Sequence, residues 1–164
     1  MDVDWRDLEA VKRLKYKYMR CIDQKLWDVV GSCFTDGATA AYSGGKYAYT
    51  GRDDIVAFLR RSMSSEGFLS SHRVHHPEID FQGPDAATGI WALEDTVVDV
   101  DHGVTIQGAA FYEDRYVKEG DGIWRIAHTG YRRTWEEIFP RASIRGLKLT
   151  ASFWATGGQS ELEA

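Results

Sequence analysis

The chain has 164 residues and a formal net charge of −5 at pH 7, from 20 lysines and arginines against 25 aspartates and glutamates. This length fits one domain with a hydrophobic core, and the acidic balance without a basic stripe argues against nucleic acid as a partner. No apolar run approaches the roughly 20 residues that a membrane-spanning helix needs, so we expect no membrane partner.

The first third of the chain has the hydrophobic periodicity of helices. Between residues 5 and 23, apolar side chains recur every three or four positions, which predicts an amphipathic helix with Asp4 as its N-cap. A short second helix is predicted over 25–34. A third is predicted over 52–63, where acidic residues open the segment and arginines close it. Between these two helices, aromatic runs on either side of Gly44–Gly45 predict a β-hairpin.

From residue 71 the pattern changes to strands. Four runs are separated by short turn sequences, GPDA, DHG and EGDG. The predicted strands cover 71–82, 87–101, 104–119 and 122–136. Helices that precede a series of antiparallel strands indicate an α+β domain, in which the helices cover one face of the sheet.

No internal repeat or linker divides the chain, so we predict one domain over 1–164. Its core is expected at 5–137, followed by a C-terminal tail at 138–156 and a disordered end at 157–164. The tail has several large apolar side chains. We therefore expect it to lie on a pocket mouth or on a neighbouring subunit.

Three histidines lie within five positions in the stretch SHRVHH: His72, His75 and His76. In a helix, His72 and His76 would share one side and could bind a metal ion, but Pro77 ends a helix and a strand pattern continues after it. In a strand, these two residues lie roughly 13 Å apart at about 3.3 Å per residue, and His75 and His76 point to opposite faces. The spacing therefore predicts no metal site.

A carboxylate in an apolar strand is a second candidate. In GIWALEDTVVDV, strict alternation places Trp91, Leu93, Asp95 and Val97 on one face. A buried carboxylate is costly unless it is paired. Asp95 is therefore either a functional acid in a pocket, or it lies on a solvent-facing side of the sheet that also has large apolar residues.

Four further side chains have a functional and an ordinary interpretation. Asp23 ends the first helix, where the helix dipole disfavours a carboxylate, but it could also cap the second helix. Tyr18 belongs to the buried stripe of the first helix and is compatible with a core tyrosine. Tyr131 and Arg133 share one face of the last strand, where they could bind a carboxylate or face solvent.

Two features bear on the compartment. The start of the chain, MDVDWRDLEA, is polar and acidic, unlike a secretory signal. Cys21 and Cys33 are too few for a disulfide framework and lack metal spacing, so we expect buried thiols. These features predict a cytoplasmic protein.

The spacing of Tyr18, Asp23, His72 and Asp95 brings these observations together. They lie within LKYKYMRCIDQKLWD, SHRVHHPEI and GIWALED, and the segment GAAFYEDRYVKEGDGIWRIAHTGYRR follows. Over about residues 5–137 this arrangement resembles the SnoaL-like branch of the nuclear transport factor 2-like superfamily. Within that branch it is most similar to bile-acid 7α-dehydratases, and less so to scytalone dehydratases and hexachlorocyclohexane dehydrochlorinases. The resemblance implies a cone-shaped, curved antiparallel sheet, with N-terminal helices closing a central pocket.

The resemblance also implies that Tyr18, Asp23, His72 and Asp95 are the catalytic residues. Histidine ordinarily titrates near pH 6.5, about where it can act as a base in cells, so His72 would remove a proton from carbon. Either aspartate would orient it. The other, kept protonated by its apolar surroundings, would donate to a leaving hydroxyl, and Tyr18 would bind a carbonyl or the departing oxygen.

The expected substrate site combines aromatic side chains with the late-strand arginine that the family has. The residues predicted to bind substrate are Arg133, Tyr131, Trp91 and Phe58. We predict a cofactor-independent lyase without a metal, most specifically a dehydratase of a bulky, steroid-like or aromatic hydroxylated compound. Two alternatives stay open: a carbon–carbon lyase that releases formaldehyde from an aryl-propane diol, and a non-catalytic binding or assembly module. A homo-oligomer is expected, with a trimer favoured because the dehydratase relatives form trimers.

Overall fold

The computed structural model describes residues 4–163, which form three α-helices and one six-stranded sheet. The helices are α1 (Trp5–Asp23), α2 (Trp27–Gly31) and α3 (Arg52–Met63). The strands are β1 (Phe34–Tyr42), β2 (Tyr47–Thr50), β3 (Phe68–Phe81), β4 (Ala86–Asp99), β5 (Val104–Lys118) and β6 (Trp124–Pro140). This architecture confirms the predicted α+β class. Within the same residues, no helix is both long and apolar enough to cross a membrane.

Two helices occupy the segments that their periodicity predicts. α1 spans residues 5–23, and Oδ1 of Asp4 accepts a hydrogen bond from the backbone N–H of Arg6 at 2.9 Å, which confirms Asp4 as the N-cap. Tyr18, in the apolar stripe of α1, is fully buried. α3 spans the predicted residues 52–63.

The second helix is shorter than the predicted 25–34. It comprises Trp27–Gly31 only, and Lys25, with a φ of 55°, separates it from α1. Phe34 already belongs to β1, where it pairs with Ile126 of β6. Strand pairing therefore ends the helix earlier than the local pattern indicates.

The strands form a single sheet in the order β2-β1-β6-β5-β4-β3. β1 and β2 form the predicted antiparallel hairpin. The pairs β3–β4, β4–β5 and β5–β6 are also antiparallel, but β1 and β6 run parallel. The expectation of a wholly antiparallel sheet is therefore wrong at this pairing. Because β1 and β6 are far apart in sequence, no tight turn sets their relative direction, whereas short turns set it from β3 to β6.

The four later strands occur where the sequence predicts them, with shifted ends. The largest shift is at the end of β6, which continues to Pro140, beyond the predicted end of the core at 137. The division into core, tail and disordered end remains a prediction. Residues 1–3 and 164, which the predicted domain includes, lie outside the described residues.

The inner face of the sheet is the one that the alternation in β4 predicts. Trp91, Leu93, Asp95 and Val97 are all buried, whereas Ile90 on the opposite face is 43% exposed. α1 packs against β3 and β6, and the ring of Tyr16 in α1 contacts Trp91. The inner face is therefore covered by the N-terminal helix, as expected.

An ion pair that sequence reasoning did not predict is buried between α1 and β5. Lys15 Nζ lies 2.7 Å from Asp114 Oδ2, and neither side chain is accessible to solvent. Asp114 also accepts hydrogen bonds from Tyr116 at 2.6 Å and from Thr129 at 2.7 Å. The Lys15 ammonium lies 3.4 Å from the ring centroid of Tyr112, and burial lowers the pKa of Lys15 to about 8. The pair is a charged centre inside the core.

The two cysteines are buried free thiols, as predicted. Both Cys21 and Cys33 have no exposed surface. Burial raises the pKa of the Cys33 thiol to about 11, so this side chain stays protonated and unreactive at neutral pH.

Candidate active site

A cavity of about 400 Å³ lies between α1, α3 and the inner face of the sheet. Six of the residues predicted to be functional line it: Tyr18, Phe58, His72, Asp95, Tyr131 and Arg133. A larger groove of about 940 Å³ lies on the outside, between α1 and the turn that joins β5 to β6, but none of the predicted site residues line it. The cavity is therefore the candidate site.

His72 and Asp23 form a hydrogen-bonded pair at the cavity. Nδ1 of His72 lies 2.6 Å from Oδ1 of Asp23, and Oδ2 of Asp23 accepts the backbone N–H of His72 at 2.9 Å. Ser70 donates to Oδ1 of the same carboxylate at 2.8 Å. A carboxylate at Nδ1 places the ring proton there, which leaves Nε2 as the basic nitrogen.

This geometry decides between the two interpretations of Asp23. The N-cap of α2 is Leu26, which makes no side-chain capping bond, and the Asp23 carboxylate instead joins the end of α1 to β3. The hydrogen bonds from Ser70 and from the backbone compensate for an unfavourable position at a helix C-terminus. Ser70 was missed by sequence reasoning, although it lies two positions before His72 and therefore on the same strand face.

Asp95 is held by Arg133. Nη1 of Arg133 donates to one carboxylate oxygen and Nη2 donates to the other at 2.9 Å. Nε of Arg133 lies 3.0 Å from Oε2 of Glu136. The sequence left open which of Asp23 and Asp95 donates a proton. Since Asp23 is the partner of His72 and both oxygens of Asp95 accept hydrogen bonds from a guanidinium, the arrangement does not favour Asp95 as the proton donor. Desolvation opposes the charge on Arg133, but the hydrogen bonds to Asp95 prevail and raise the pKa of Arg133.

A glycine makes this ion pair possible. Arg133 is on β6 and Asp95 is on β4, so the arginine must reach across β5, where the residue paired with Asp95 is Gly108. A Cβ atom at Gly108 would lie 3.1 Å from Nη1 of Arg133 and 2.6 Å from the backbone oxygen of Trp135. Position 108 therefore has no room for a side chain beneath the arginine.

Phenol groups form much of the remaining wall. The hydroxyls of Tyr18 and Tyr42 lie 2.8 Å apart, and Tyr112 and Tyr131 contact each other edge to face at 5.3 Å. Burial raises the pKa of Tyr18, Tyr42, Tyr112 and Tyr131 above the ordinary value for tyrosine. These groups are neutral hydrogen-bond donors. Sequence reasoning missed Tyr112, although its alternation with Asp114 in β5 indicates an inward position.

Phe58 belongs to a stack of aromatic rings at the side of the cavity next to α3. Its ring stacks on Tyr42, Tyr47 and Tyr49, with centroid distances of 5.8, 5.4 and 4.6 Å. Phe58, Tyr42 and Tyr47 line the cavity. This wall presents aromatic surface to a ligand.

Trp91 is the predicted substrate-binding residue that does not line the cavity. It is fully buried, and its Nε1 donates to the hydroxyl of Tyr116 at 2.8 Å. Trp91 is on the same strand face as Asp95 but four residues away, roughly 13 Å at about 3.3 Å per residue. The predicted role of Trp91 is therefore wrong, because a shared strand face does not imply a shared position along the strand.

The other two histidines of the triplet lie apart from the cavity wall. His75 is on the outer side, with Nε2 3.9 Å from Oε2 of Glu94. The pairing of β3 with β4 shifts register between His75 and Glu78, where His76 has a φ of 37°. Among residues 4–163, no group of three or more histidines, cysteines or acidic residues is arranged to hold a metal ion.

A comparison with known proteins agrees with this architecture. A family model described as a SnoaL-like domain matches residues 4–130, which is most of the chain. The chain belongs to the SnoaL-like family. The match includes both α1, with Tyr18 and Asp23, and the strands that supply His72 and Asp95.

Solved structures with the SnoaL-like fold include proteins from several bacteria. A candidate scytalone dehydratase from Novosphingobium aromaticivorans is 19% identical, with a TM-score of 0.74 and coverage of 81% of this chain and 87% of that chain. A type 3 hexachlorocyclohexane dehydrochlorinase from Novosphingobium barchaimii is also 19% identical, with a TM-score of 0.74 and coverage of 88% and 97%. A protein of unknown function from Mycobacterium tuberculosis is 23% identical, with a TM-score of 0.67 and coverage of 79% and 72%. At these identities the likeness shows the fold.

Proposed function

We propose that this SnoaL-like protein is a cofactor-independent lyase, most specifically a dehydratase of a bulky, ring-bearing hydroxylated compound of steroid or aromatic type. The observation that carries the proposal is the Asp23–His72 pair at the wall of an aromatic cavity. A histidine whose Nδ1 is held by a carboxylate has its other nitrogen free to take a proton, and the carboxylate stabilises the imidazolium that forms.

In the proposed reaction, His72 Nε2 removes a proton from a carbon next to an activating carbonyl. The electrons of the C–H bond then form a carbon–carbon double bond, and the neighbouring C–O bond breaks. The departing hydroxyl takes the proton from the His72 imidazolium, so one water leaves and the base is regenerated. Tyr18, a neutral phenol at the cavity wall, hydrogen-bonds the oxygen on which negative charge develops. Asp95 contributes as the partner of Arg133, and the pair forms part of the wall against which the substrate lies.

Structural neighbours that share the fold of this chain support an elimination reaction. The names of two structural neighbours describe a dehydratase and a dehydrochlorinase, which remove water and hydrogen chloride. Both reactions are eliminations, in which a base removes a proton from the substrate. The Asp23–His72 pair supplies such a base.

A carbon–carbon lyase that releases formaldehyde from an aryl-propane diol is the second candidate. The stack of Phe58 with Tyr42 and Tyr47 favours it, because it offers an aromatic wall to an aryl ring. The same base would take a proton from the terminal hydroxyl, whose oxygen then forms the C=O of formaldehyde as the bond to the neighbouring carbon breaks. The electrons of that bond would form a C=C bond to the benzylic carbon, whose hydroxyl leaves as water with the proton from the His72 imidazolium. The third possibility, a binding module without catalysis, would need the cavity but not the base.

The decisive experiment is a product analysis by mass spectrometry. Purified protein is incubated with hydroxylated steroid ketones and with aryl-propane diols, and each reaction is repeated with His72→Ala and His75→Ala. Loss of water from a ring compound in the wild type and in His75→Ala, but not in His72→Ala, would support the dehydratase. Release of formaldehyde would favour the second candidate, and ligand binding without turnover would favour the binding module.

We also propose that the chain forms a homo-oligomer, with a trimer favoured. Large apolar side chains near the C-terminus are exposed: Trp135, Ile138, Ile144, Leu147 and Phe153. Trp154 lies over Lys25, whose Nζ is 3.9 Å from the indole ring, so only part of this segment packs on its own subunit. Light scattering at micromolar concentration should give a mass above that of one chain, and a monomeric mass would contradict the proposal.

A further inference from the structure

The charges at the cavity indicate which ligands it accepts. Among the described residues that line it, Arg133 is the only one with a permanent positive charge. Its guanidinium contacts two carboxylates, with Asp95 on the two Nη atoms and Glu136 at Nε. A third carboxylate, Asp23, lies behind His72. The acidic groups around the cavity therefore outnumber the cation that could bind an anionic ligand.

Three other cations near the wall do not change this balance. Lys25 lies on the Asp23 side, where its Nζ donates to the backbone oxygen of Phe68 at 2.6 Å, so it is held outside the cavity and offsets only Asp23.

Lys15 lies behind the ring of Tyr112 and is paired with Asp114, so it is compensated and separated from the cavity by the ring. Arg61 is exposed, with its guanidinium carbon 6.0 Å from the Phe58 ring, where water screens its charge.

The position of Asp95 adds a specific penalty against anions. A ligand carboxylate would have to replace Asp95 on Arg133, because the two Nη atoms already bind both oxygens of Asp95. The side chain of Asp95 is only 6% exposed, so its displacement would leave a buried carboxylate without a partner. An uncharged ligand can instead use the phenol hydroxyl of Tyr18, which lines the cavity and does not contact the pair.

We propose that the cavity selects uncharged ring compounds over carboxylates of the same shape, and that Asp95 sets this selectivity by occupying Arg133. The inference rests on the proposed function, because it takes the cavity to be the substrate site. It narrows the substrate class to neutral alcohols and ketones, and it assigns to Asp95 a role in specificity in place of proton donation. Selectivity of this kind comes from an unfavourable state that the wrong ligand would create.

Isothermal titration calorimetry with two probes tests the inference without any turnover. The probes are 2-naphthalenemethanol and 2-naphthoate, which share the ring system and differ in charge. The wild type should bind the alcohol about tenfold tighter or more. Asp95→Asn, which frees Arg133 for a ligand, should bind the naphthoate about tenfold tighter than the wild type does, so that the ratio of alcohol to naphthoate affinity falls.

Two control variants test whether Arg133 causes the gain in naphthoate affinity. Asp95→Asn combined with Arg133→Gln should lose the gained affinity for naphthoate. Glu136→Gln should raise naphthoate affinity less than Asp95→Asn, because the Glu136 side chain is 52% exposed and water already screens it.

Several outcomes would overturn the inference. Equal binding of the two probes by the wild type would do so while leaving the proposed dehydratase intact, since the product analysis tests that separately. Binding of neither probe would mean that the cavity is not a site for two-ring compounds. A folded Asp95→Asn variant that gains no naphthoate affinity would remove Asp95 as the selective residue. If that variant does not fold, as judged by circular dichroism, the wild-type ratio alone still decides.

Discussion

Two ion pairs lie on the inner face of the same sheet, and they differ in their relation to the cavity. Asp95 and Arg133 form part of the cavity wall, and the arginine side chain is 18% exposed. Asp114 and Lys15 have no exposed surface, and the ring of Tyr112 separates the ammonium from the cavity. The first pair can therefore be contacted by a ligand, whereas the second contacts only protein.

The two aspartates have similar positions in the sheet. In the pairing of β4 with β5, Asp95 is opposite Gly108 and Asp114 is opposite Gly89. A Cβ atom at Gly89 would lie 3.0 Å from both Trp91 Nε1 and Tyr116 Cε2, so this glycine makes room for the side chains around Asp114. Each aspartate follows a glutamate and is paired with a glycine, so the local sequence is similar at both places. What differs is the neighbour above the sheet: an open cavity in one case and helix α1 in the other.

The first prediction concerns catalytic activity, which should depend on the cavity and not on the buried pair. His72→Ala should lower the turnover of an identified substrate by roughly 10²–10⁴-fold, because it removes the general base. Its free energy of unfolding should fall by only about 1–3 kcal/mol, because the variant loses one hydrogen bond to Asp23 at the cavity wall. Steady-state kinetics and urea unfolding measure the two quantities.

His75→Ala is the matched control for this experiment, because His75 is three residues away on the outer side of the sheet. It should keep wild-type turnover. If His72→Ala kept wild-type turnover as well, the base would have to be sought elsewhere in the cavity.

A second prediction concerns the stability of the buried pair. Lys15→Met should destabilise the fold by about 3–5 kcal/mol, because it leaves the Asp114 carboxylate in the core without its cation. The double variant Lys15→Met with Asp114→Asn should recover part of this loss. Arg133→Met should cost less, because the Arg133 side chain is 18% exposed at the cavity wall, whereas the side chains of Lys15 and Asp114 are wholly buried.

Urea unfolding of these variants measures how much each ion pair contributes to the free energy of unfolding. An equal loss of stability in Arg133→Met and Lys15→Met would contradict the proposed difference, and both pairs would then have to be regarded as structural.

A third prediction uses the tyrosines around the two pairs. Burial raises the pKa of Tyr18, Tyr42, Tyr112 and Tyr116 above the ordinary value of about 10. Their contribution to stability is therefore fully present below about pH 10, and it is lost as the pH rises above that value, because the unfolded chain then releases protons that the folded chain keeps. As the pH is raised, tyrosinate absorbance should appear at a higher pH in the folded protein than in the urea-unfolded protein. Titration curves that coincide would refute the prediction.

The smallest expected effect is that of a single hydroxyl at the cavity. Tyr18→Phe keeps the ring but removes the group that lies 2.8 Å from the Tyr42 hydroxyl. It should raise the barrier for kcat/KM by about 1.5–3 kcal/mol, the value of one hydrogen bond to a developing charge. Tyr42→Phe is the control, and it should cost less. The reverse order would identify Tyr42 as the donor to substrate.

Much of the fold could be predicted because it depends on local patterns. α1 and α3 have the predicted bounds, since an apolar period of three or four residues and a capping aspartate are both local features. The alternation in β4 placed Asp95 on one face with Trp91 and Leu93, and the structure shows that this face is the buried one. The spacing of Tyr18, Asp23 and His72 matched a family in which these residues surround a pocket, and in the structure they lie at or beside one.

The class of fold and most of the residues at the cavity could therefore be predicted from the residue pattern together with the family resemblance. Only the tertiary structure decided the partners within that group: Asp23 binds His72, and Asp95 binds Arg133 across β5. Alternation specifies on which face of the sheet a side chain lies, but not how far along the strand it lies from the cavity. Trp91 therefore shares a face with Asp95 but contacts Tyr116 and not the cavity. The physical reason is that ion pairs and hydrogen bonds form between atoms a few ångströms apart. Those distances depend on strand register, on the space that a glycine leaves and on the helix that covers the sheet.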